Sequence, residues 1–531
     1  MSLVLQERRV LYEQIVNDIQ KRNMFPEDRY EIAALLESMG WNDSRVSEQF
    51  GMQDVFELAD FIWEQIQQRV AFTPFEPPPK RNLVYLVFEL TKSFLRGVIF
   101  ALPMAISVLS MLTLKFSLWS YEYLSVELAT SIAIGTILSF IVVGGYTQAI
   151  ARRGFFYLFQ GYYNMGRRVT FKFIRLGYLT CLCSSVLIYG LNLAFNIFPA
   201  DMFIYIVLYF FFLTSIWLSV TVMYILRREL TFTGLIILGI IIVYLLMSFT
   251  PLDIIFSQLI SIFFVSVIGM LLVLYYFRQA ERKEEKGITP QLPRMSITIY
   301  SVMPYFLYGF LYFFFLFIDR INAWSANEAY MPYFIWFRGE YELGLDFALL
   351  VLMIPLGVSE VIVHKLMLDL EDSQKRFWGS ETDEMNRYFK KVYYKMLGII
   401  VVASIASGAL IWKGIFLANA WYSDYSGKLL IREDTITEFV FIVSLASYVI
   451  LSIALMNAVI LFSLSQAGLV NRSIIPAVGL NLIAGFLLSR WFEYHYAVFG
   501  LLAGSIVFAI LTLRHMLRVL GKLDYYLYAA N

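Results

Sequence analysis

From residue 97 onward the chain alternates long apolar runs with short charged connections, and the runs are too long for the period-two pattern of strands. A hydrocarbon core about 30 Å thick needs about 20 apolar residues of helix. Reading from charge to charge predicts twelve such helices, over 97–114, 128–150, 176–200, 202–226, 230–252, 254–277, 295–318, 343–363, 396–412, 439–468, 473–489 and 496–513. The predicted fold class is all-α, a polytopic membrane protein. The eighth span contains Asp346 and Glu360, the ninth and eleventh are short, and the tenth is long enough to tilt or to include a turn near Gln466.

Lys and Arg resist translocation, whereas acids count little, so the connections predict an orientation. Those after even-numbered spans hold three times as many Lys and Arg as those after odd-numbered spans. The first of them alone has Arg152, Arg153, Arg167, Arg168, Lys172 and Arg175. Both termini are therefore expected to be cytoplasmic, in a multi-pass protein of the cytoplasmic membrane. The first eighty residues carry charge every few positions, so insertion is expected to start from an internal span.

Residues 1–72 read as a small cytoplasmic helical domain. Val55, Leu58, Ala59, Ile62 and Ile66 recur at helical spacing behind Asp54, with Glu57 three residues later as in a capping box. A stiff proline-rich linker follows, "TPFEPPPK", residues 73–80. The domain reads as a docking or stability module. The membrane part divides into two sets of six spans, 81–277 and 295–531, joined by a charged cytoplasmic connection at 278–294. In each set the largest basic connection falls between the second and third helices, at 151–175 and 364–395, and the first helix has a proline near its start, Pro103 or Pro304. Two sixes with both termini on one side imply parallel repeats about an axis along the membrane normal, with a substrate route between them.

Composition agrees. Hydrophobic residues make up 59% of the chain and charged residues 16%, far from the balance of a soluble domain. Net charge is +1, which gives no field that points to nucleic acid. The two cysteines, Cys181 and Cys183, lie in an apolar run and read as structural. His364, His495 and His515 have no assembled partners in sequence, and the acidic cluster Asp369, Glu371 and Asp372 sits in a connection too short for a nucleotide-binding fold. No catalytic constellation, metal site or cofactor is expected, and the chain does not read as an enzyme. The segment "GYYNMGRRV", Gly161–Val169, departs from the major facilitator signature, since its glycines are too close together and the expected Asp is missing.

At 100° per residue, Ser301, Tyr305, Tyr308, Tyr312 and Asp319 share one face of the seventh span, with Arg320 100° further round. On the first span Lys92, Arg96, Pro103, Ser107 and Ser110 share a face. If the first helices of the two halves face each other, these positions line a cavity, cationic at its cytoplasmic end and phenolic in the middle. Packing of the tyrosines against neighbouring helices is the alternative. Charges at membrane depth find partners or do work. An Arg320–Asp346 pair between adjacent helices is one reading, and uptake of a coupling proton or sodium ion by Asp319, Asp346 or Glu360 is the other. Arg320 is expected to anchor the helix end, and Asp319 to face the substrate path.

The segment "YGFLYFFFLFIDRINAWSA", Tyr308–Ala326, followed by "YELGLDFALLVLMIPLGVSE", Tyr341–Glu360, resembles the PelG-like exopolysaccharide exporter family. That family is similar to the multidrug, oligosaccharidyl-lipid and polysaccharide (MOP) flippase superfamily, with twelve helices in two six-helix lobes around a central cavity. The resemblance extends over roughly residues 80–531. It implies export of a polysaccharide or its lipid-linked precursor by alternating access, with a cytoplasmic glycosyltransferase and companion membrane subunits as partners beside the membrane lipids. Tyrosine faces suit sugar rings, and Lys92 and Arg96 suit an anionic group at the entry. A small-solute or drug antiporter and a non-transporting scaffold for a polysaccharide synthase remain the alternatives.

Overall fold

Helices form almost the whole of the computed structural model, which describes residues 11–19, 22, 26, 28–72, 83–121, 123–282, 292–326, 333–374, 381–426 and 435–528. The predicted linker at 73–80 and the middle of the inter-lobe connection, 283–291, lie outside these. Contacts divide the chain into two units, Met1–Lys80 and Arg81–Asn531.

The first unit contains α1 (residues 11–19), α2 (Arg29–Ser38), α3 (Asp43–Phe50) and α4 (Val55–Phe72). Side-chain caps start three of them. Asp28 accepts from the Glu31 N–H at 2.8 Å, Asn42 from the Arg45 N–H at 2.9 Å, and Asp54 from the Glu57 N–H at 2.8 Å. Glu57 in turn accepts from the Gln53 N–H at 2.5 Å, which closes the box one residue earlier than the standard form. Val55, Leu58, Ala59 and Ile62 are buried together with Ile15, Ile19, Ile32, Leu36 and Val46, a small core of its own. The Ile66 side chain lies outside the described part.

The second unit holds α5 (Leu83–Leu114), α6 (Val126–Phe159), α7 (Tyr163–Phe195), α8 (Ala200–Ile225), α9 (Glu229–Phe249), α10 (Ile254–Glu281) and α11 (Met295–Trp324). It continues with α12 (Gly339–Leu349), α13 (Met353–Gln374), α14 (Thr382–Ser426), α15 (Ile436–Ser463), α16 (Ala467–Trp491), α17 (Val498–Leu520) and the short α18 (Leu523–Tyr528). Among the described residues eleven helices are long and apolar enough to cross a membrane, with α12 and α13 forming one of them. The long helix α5, which carries Lys92 and Arg96 in its first half, contains the first predicted span.

Several helices outrun the apolar runs that predicted them. Helix α5 begins at Leu83 rather than 97, and α14 has 45 residues, roughly 70 Å of helix, against a predicted 396–412. Hydropathy marks where lipid begins and ends, whereas backbone hydrogen bonding carries a helix on into water. The predicted tenth span is cut short. Helix α15 stops at Ser463, Ser465 takes the left-handed φ of 59°, and the Gln466 N–H closes the turn on the Leu461 carbonyl at 2.7 Å. The eleventh helix therefore starts at Ala467, not 473.

The eighth span is broken between α12 and α13 by a 3-10 turn at Leu350–Leu352. Pro355 follows, and without an N–H it cannot bond the Val351 carbonyl four residues back. Ser407 of α14 supplies the missing donor at 2.7 Å. Buried polar groups join other helices of the second half in the same way. Asn471 donates to the Pro304 carbonyl at 2.8 Å, Asn481 to that of Phe315 at 2.9 Å, and Asn322 to that of Leu482 at 3.2 Å, all between α11 and α16.

Helices α6–α10 pack mainly with one another and α11–α17 likewise, while α5 lies between α9 and α13; two apolar clusters result, the second reaching Ile137 and Ile141 of α6 and the first reaching Val302 of α11. Below, the basic end of the bundle is the one where α5 and α11 begin, and the far end is where they finish.

Candidate functional site

Two helix crossings join the lobes: α5 packs on α13, and α6 packs on α11. The first helix of each half thus meets the second helix of the other half, rather than the two first helices facing each other as the cavity expectation required. Glycines permit the crossings. A Cβ on Gly97 would lie 2.7 Å from the Gly357 Cα, and one on Gly144 would lie 2.7 Å from the Gly309 carbonyl oxygen. Further bonds bridge the lobes at both ends. At the far end Thr130 accepts from the Phe337 N–H at 3.1 Å, and Lys115 meets Tyr422. At the basic end Arg152 donates to Ser465 at 2.9 Å, and Arg153 meets Ser301.

Along this interface runs an aromatic strip. Phe140 of α6 stacks on Trp217 of α8 at 4.3 Å and on Phe313 and Phe317 of α11 at 5.2 and 5.5 Å. Trp119 meets Trp217 edge-on at 5.9 Å, and the Trp217 indole N–H is held by Ser139 at 3.0 Å. All five rings are half-buried, although Trp217 has fully buried neighbours on both sides in sequence. No spacing pattern singled out Phe140 or Trp217, because their partners come from other helices.

The tyrosine stripe of the seventh span is placed elsewhere. Tyr305 and Tyr308 are buried against Phe462 of α15, with ring centroids at 5.5 and 4.7 Å, and only Tyr312 of the three remains partly open. Asp319 is fully buried and accepts from the Tyr341 hydroxyl at 2.9 Å, so in this structure it faces the interior of the second lobe rather than an open path. The helical wheel grouped these residues by azimuth alone. It could not say which neighbour covers that face.

Asp319 belongs to a charged cluster. The Arg320 guanidinium donates to Glu342 at 2.8 Å, to Asp346 at 3.4 Å and to the Leu316 carbonyl at 3.2 Å, and lies over the Phe317 ring at 5.0 Å. Glu342 and Asp346 stand one turn apart on α12, which lets one arginine reach both. Asp319 Oδ1, Glu342 Oε1 and the Tyr448 hydroxyl are buried without a hydrogen-bond partner among the described residues. Arg320 is 5% exposed but Asp346 is 53% exposed, so the cluster has one open member. Tyr341, Glu342 and Tyr448 were missed in the sequence, although the four-residue spacing from Glu342 to Asp346 was a usable signal.

A second polar group lies between the lobes at the basic end. Arg96 of α5 pairs with Glu229 of α9 at 3.5 Å, the Tyr224 hydroxyl of α8 donates to Glu360 of α13 at 3.4 Å, and His364 approaches Glu89 at 3.9 Å. Arg96 and Glu360, assigned from sequence to separate tasks, thus share one neighbourhood. Lys92 is exposed, and Ser107 and Ser110 are buried, Ser110 donating to the Phe116 carbonyl at 2.7 Å.

No protein-family model matches the sequence, and no curated protein matches it either. The three-dimensional comparison is different. The eukaryotic MATE transporter AtDTX14 superposes with a TM-score of 0.57 at 13% identity, covering 84% of this chain and 98% of that one. The chain has the MATE transporter fold. The Vibrio cholerae MATE transporter VcmN, as a mutant, gives a TM-score of 0.56 at 13% identity over 83% of this chain and 98% of its own. A MOP superfamily transporter from Pyrococcus furiosus gives 0.51 at 13% identity, over 81% and 96%. The uncovered share of this chain is about the size of its Met1–Lys80 unit. The aromatic strip lies on the interface between the two halves of this fold.

Proposed function

We propose that this MATE-fold protein exports a polysaccharide, or its lipid-linked precursor, across the cytoplasmic membrane by alternating access of the two lobes. The observation that carries the reading is the half-buried strip Phe140, Trp217, Phe313 and Phe317 on the interface. Aromatic faces stack on the C–H faces of sugar rings, and the same strip offers few charges that would hold a small ion. The resemblance of Tyr308–Ala326 and Tyr341–Glu360 to exopolysaccharide exporters supports the same substrate class. In this reading the termini are cytoplasmic, and the partners are a cytoplasmic glycosyltransferase and companion membrane subunits. The Asp319–Arg320–Glu342–Asp346 cluster takes up the coupling proton or sodium ion through the open side of Asp346, and its unpartnered oxygens supply the acceptors.

A small-solute or drug antiporter is the second reading, favoured by the fold match, since planar amphiphiles also stack on aromatic rings. Proteoliposomes separate the two. Translocation of a fluorescent lipid-linked oligosaccharide, abolished by Asp319→Asn in a protein that still folds, supports the export reading. Efflux of a dye such as ethidium without any movement of the oligosaccharide supports the antiporter. Loss of polysaccharide output only when the synthase fails to assemble, with neither probe moved, would make the protein a scaffold.

A further inference from the structure

At the basic end of the first lobe a cleft of about 440 Å³ opens between the last turns of α6, α8 and α10, lined by Phe155, Phe159, Tyr163, Arg227, Arg228 and Tyr276 among others. The two arginines form the turn from α8 to α9. Their backbone N–H groups close on the Tyr224 and Met223 carbonyls at 3.0 and 2.8 Å, so the turn holds without help from their side chains. Arg227 takes the left-handed φ of 58° that ends α8, as Ser465 does with 59° at the end of α15. Each guanidinium lies over a ring, Arg228 over Tyr276 at 5.2 Å and Arg227 over Phe159 at 5.9 Å. At these distances the ring faces attract the cations and leave their N–H groups for another partner.

Charge balance sharpens the point. The carboxylates next in sequence to the lining residues are engaged elsewhere, Glu229 with Arg96 at 3.5 Å and Glu281 with Arg167 at 2.5 Å. Among the described residues neither Arg227 nor Arg228 has an acidic partner. Two adjacent guanidinium groups without an acidic partner match the tetrahedral oxygens of a phosphoryl group, which accepts paired N–H bonds. The Tyr163 phenol adds a donor, while the Tyr276 hydroxyl is engaged with Thr231 at 3.1 Å, and Phe155, Leu158 and Leu226 add an apolar wall for the alkyl part of an ester. The geometry points to a binding site for the phosphoryl group of a phosphate ester, either the headgroup of an anionic phospholipid or a soluble phosphate compound. The site lies at the ends of first-lobe helices, apart from the aromatic strip, and does not depend on the transported substrate.

The test uses the full-length protein, purified in detergent and stripped of lipid. It is titrated with phosphatidylglycerol in mixed micelles, with phosphatidylcholine as the neutral comparison, and separately with inorganic pyrophosphate. Bound lipid is counted by native mass spectrometry, and binding of either probe is followed by the thermal unfolding midpoint. The R227Q/R228Q variant is expected to bind about tenfold or more weakly than the wild type, while Arg282→Gln, at the exposed end of α10, leaves binding unchanged. The R227K/R228K variant keeps the charge without the paired donors and is expected to fall between the two, which separates loss of the site from loss of the fold. Binding of phosphatidylglycerol alone identifies a lipid headgroup as the ligand, and binding of pyrophosphate as well identifies a soluble phosphoryl compound. Equal binding by wild type and R227Q/R228Q, failure of the wild type to bind either anionic probe, or equal retention of phosphatidylcholine overturns the proposal.

Discussion

Gly144 of α6 and Gly309 of α11 meet where the two lobes cross, so closely that a Cβ on Gly144 would stand 2.7 Å from the Gly309 carbonyl oxygen. At this contact the helix backbones themselves form the interface. Small residues at helix crossings let backbones approach in a membrane, where apolar burial alone gives little preference for one helix neighbour over another. Gly97 and Gly357 repeat the arrangement between α5 and α13.

Gly144→Ala and Gly97→Ala are each expected to force the lobes apart and to destabilise the protein by about 1–3 kcal/mol. Gly190→Ala is the control, since nothing stands within 4 Å of its Cβ position, and it should be neutral or stabilising by up to about 1 kcal/mol. Thermal unfolding in detergent would show the contrast. Equal effects at the three positions would remove the steric role of the crossings.

Arg320 holds two carboxylates from within the second lobe. Arg320→Met leaves Glu342 and Asp346 without their cation and is expected to cost about 3–5 kcal/mol. Replacing Arg320, Glu342 and Asp346 together by apolar residues should recover much of that loss, because the penalty comes from unpaired charge. Unfolding midpoints of the two variants decide. A combined variant no more stable than Arg320→Met would contradict this account.

Thr130 and Phe337 join the lobes at the far end. With Cys181 and Cys183 replaced by Ser, Thr130→Cys and Phe337→Cys together are expected to form a disulfide under oxidation and to stop transport, with activity returning on reduction. Unchanged transport in the cross-linked protein would show that this end need not open.

Trp217 and Phe140 are expected to matter for substrate affinity more than for stability, since both are half-buried on the interface. Trp217→Ala should raise KM for a lipid-linked oligosaccharide about threefold to tenfold, from a stacking contact worth roughly 1 kcal/mol, with kcat less affected. Trp217→Phe should restore most of it. A purely structural role would instead lower the unfolding midpoint without moving KM in the folded fraction.

Much of the membrane architecture was legible because one property, length of apolar helix against lipid thickness, governs it. The turn at Ser465 is an instructive case. Gln466 was a polar position inside an overlong run, and the structure puts the break beside it. The candidate site was less legible. The wheel grouped Tyr305, Tyr308, Tyr312 and Asp319 by azimuth, yet Phe462 and Tyr341 from other helices cover the first two tyrosines and the carboxylate.

By itself the sequence determined the apolar cores of the spans, an overlong tenth run that could tilt or turn near Gln466, and the charged stretches between helices. Those depend on local chemistry, on which residues tolerate lipid and which do not. Tertiary structure decided that α5 meets α13 and α6 meets α11, that Phe140 and Trp217 stack across the interface, and that Arg96 and Glu360 become neighbours. In a bilayer every apolar helix face is equally at home against lipid or against another helix, so hydrophobicity cannot choose partners. Glycine contacts, ring stacking and a handful of buried hydrogen bonds make that choice, and they exist only once the helices are side by side.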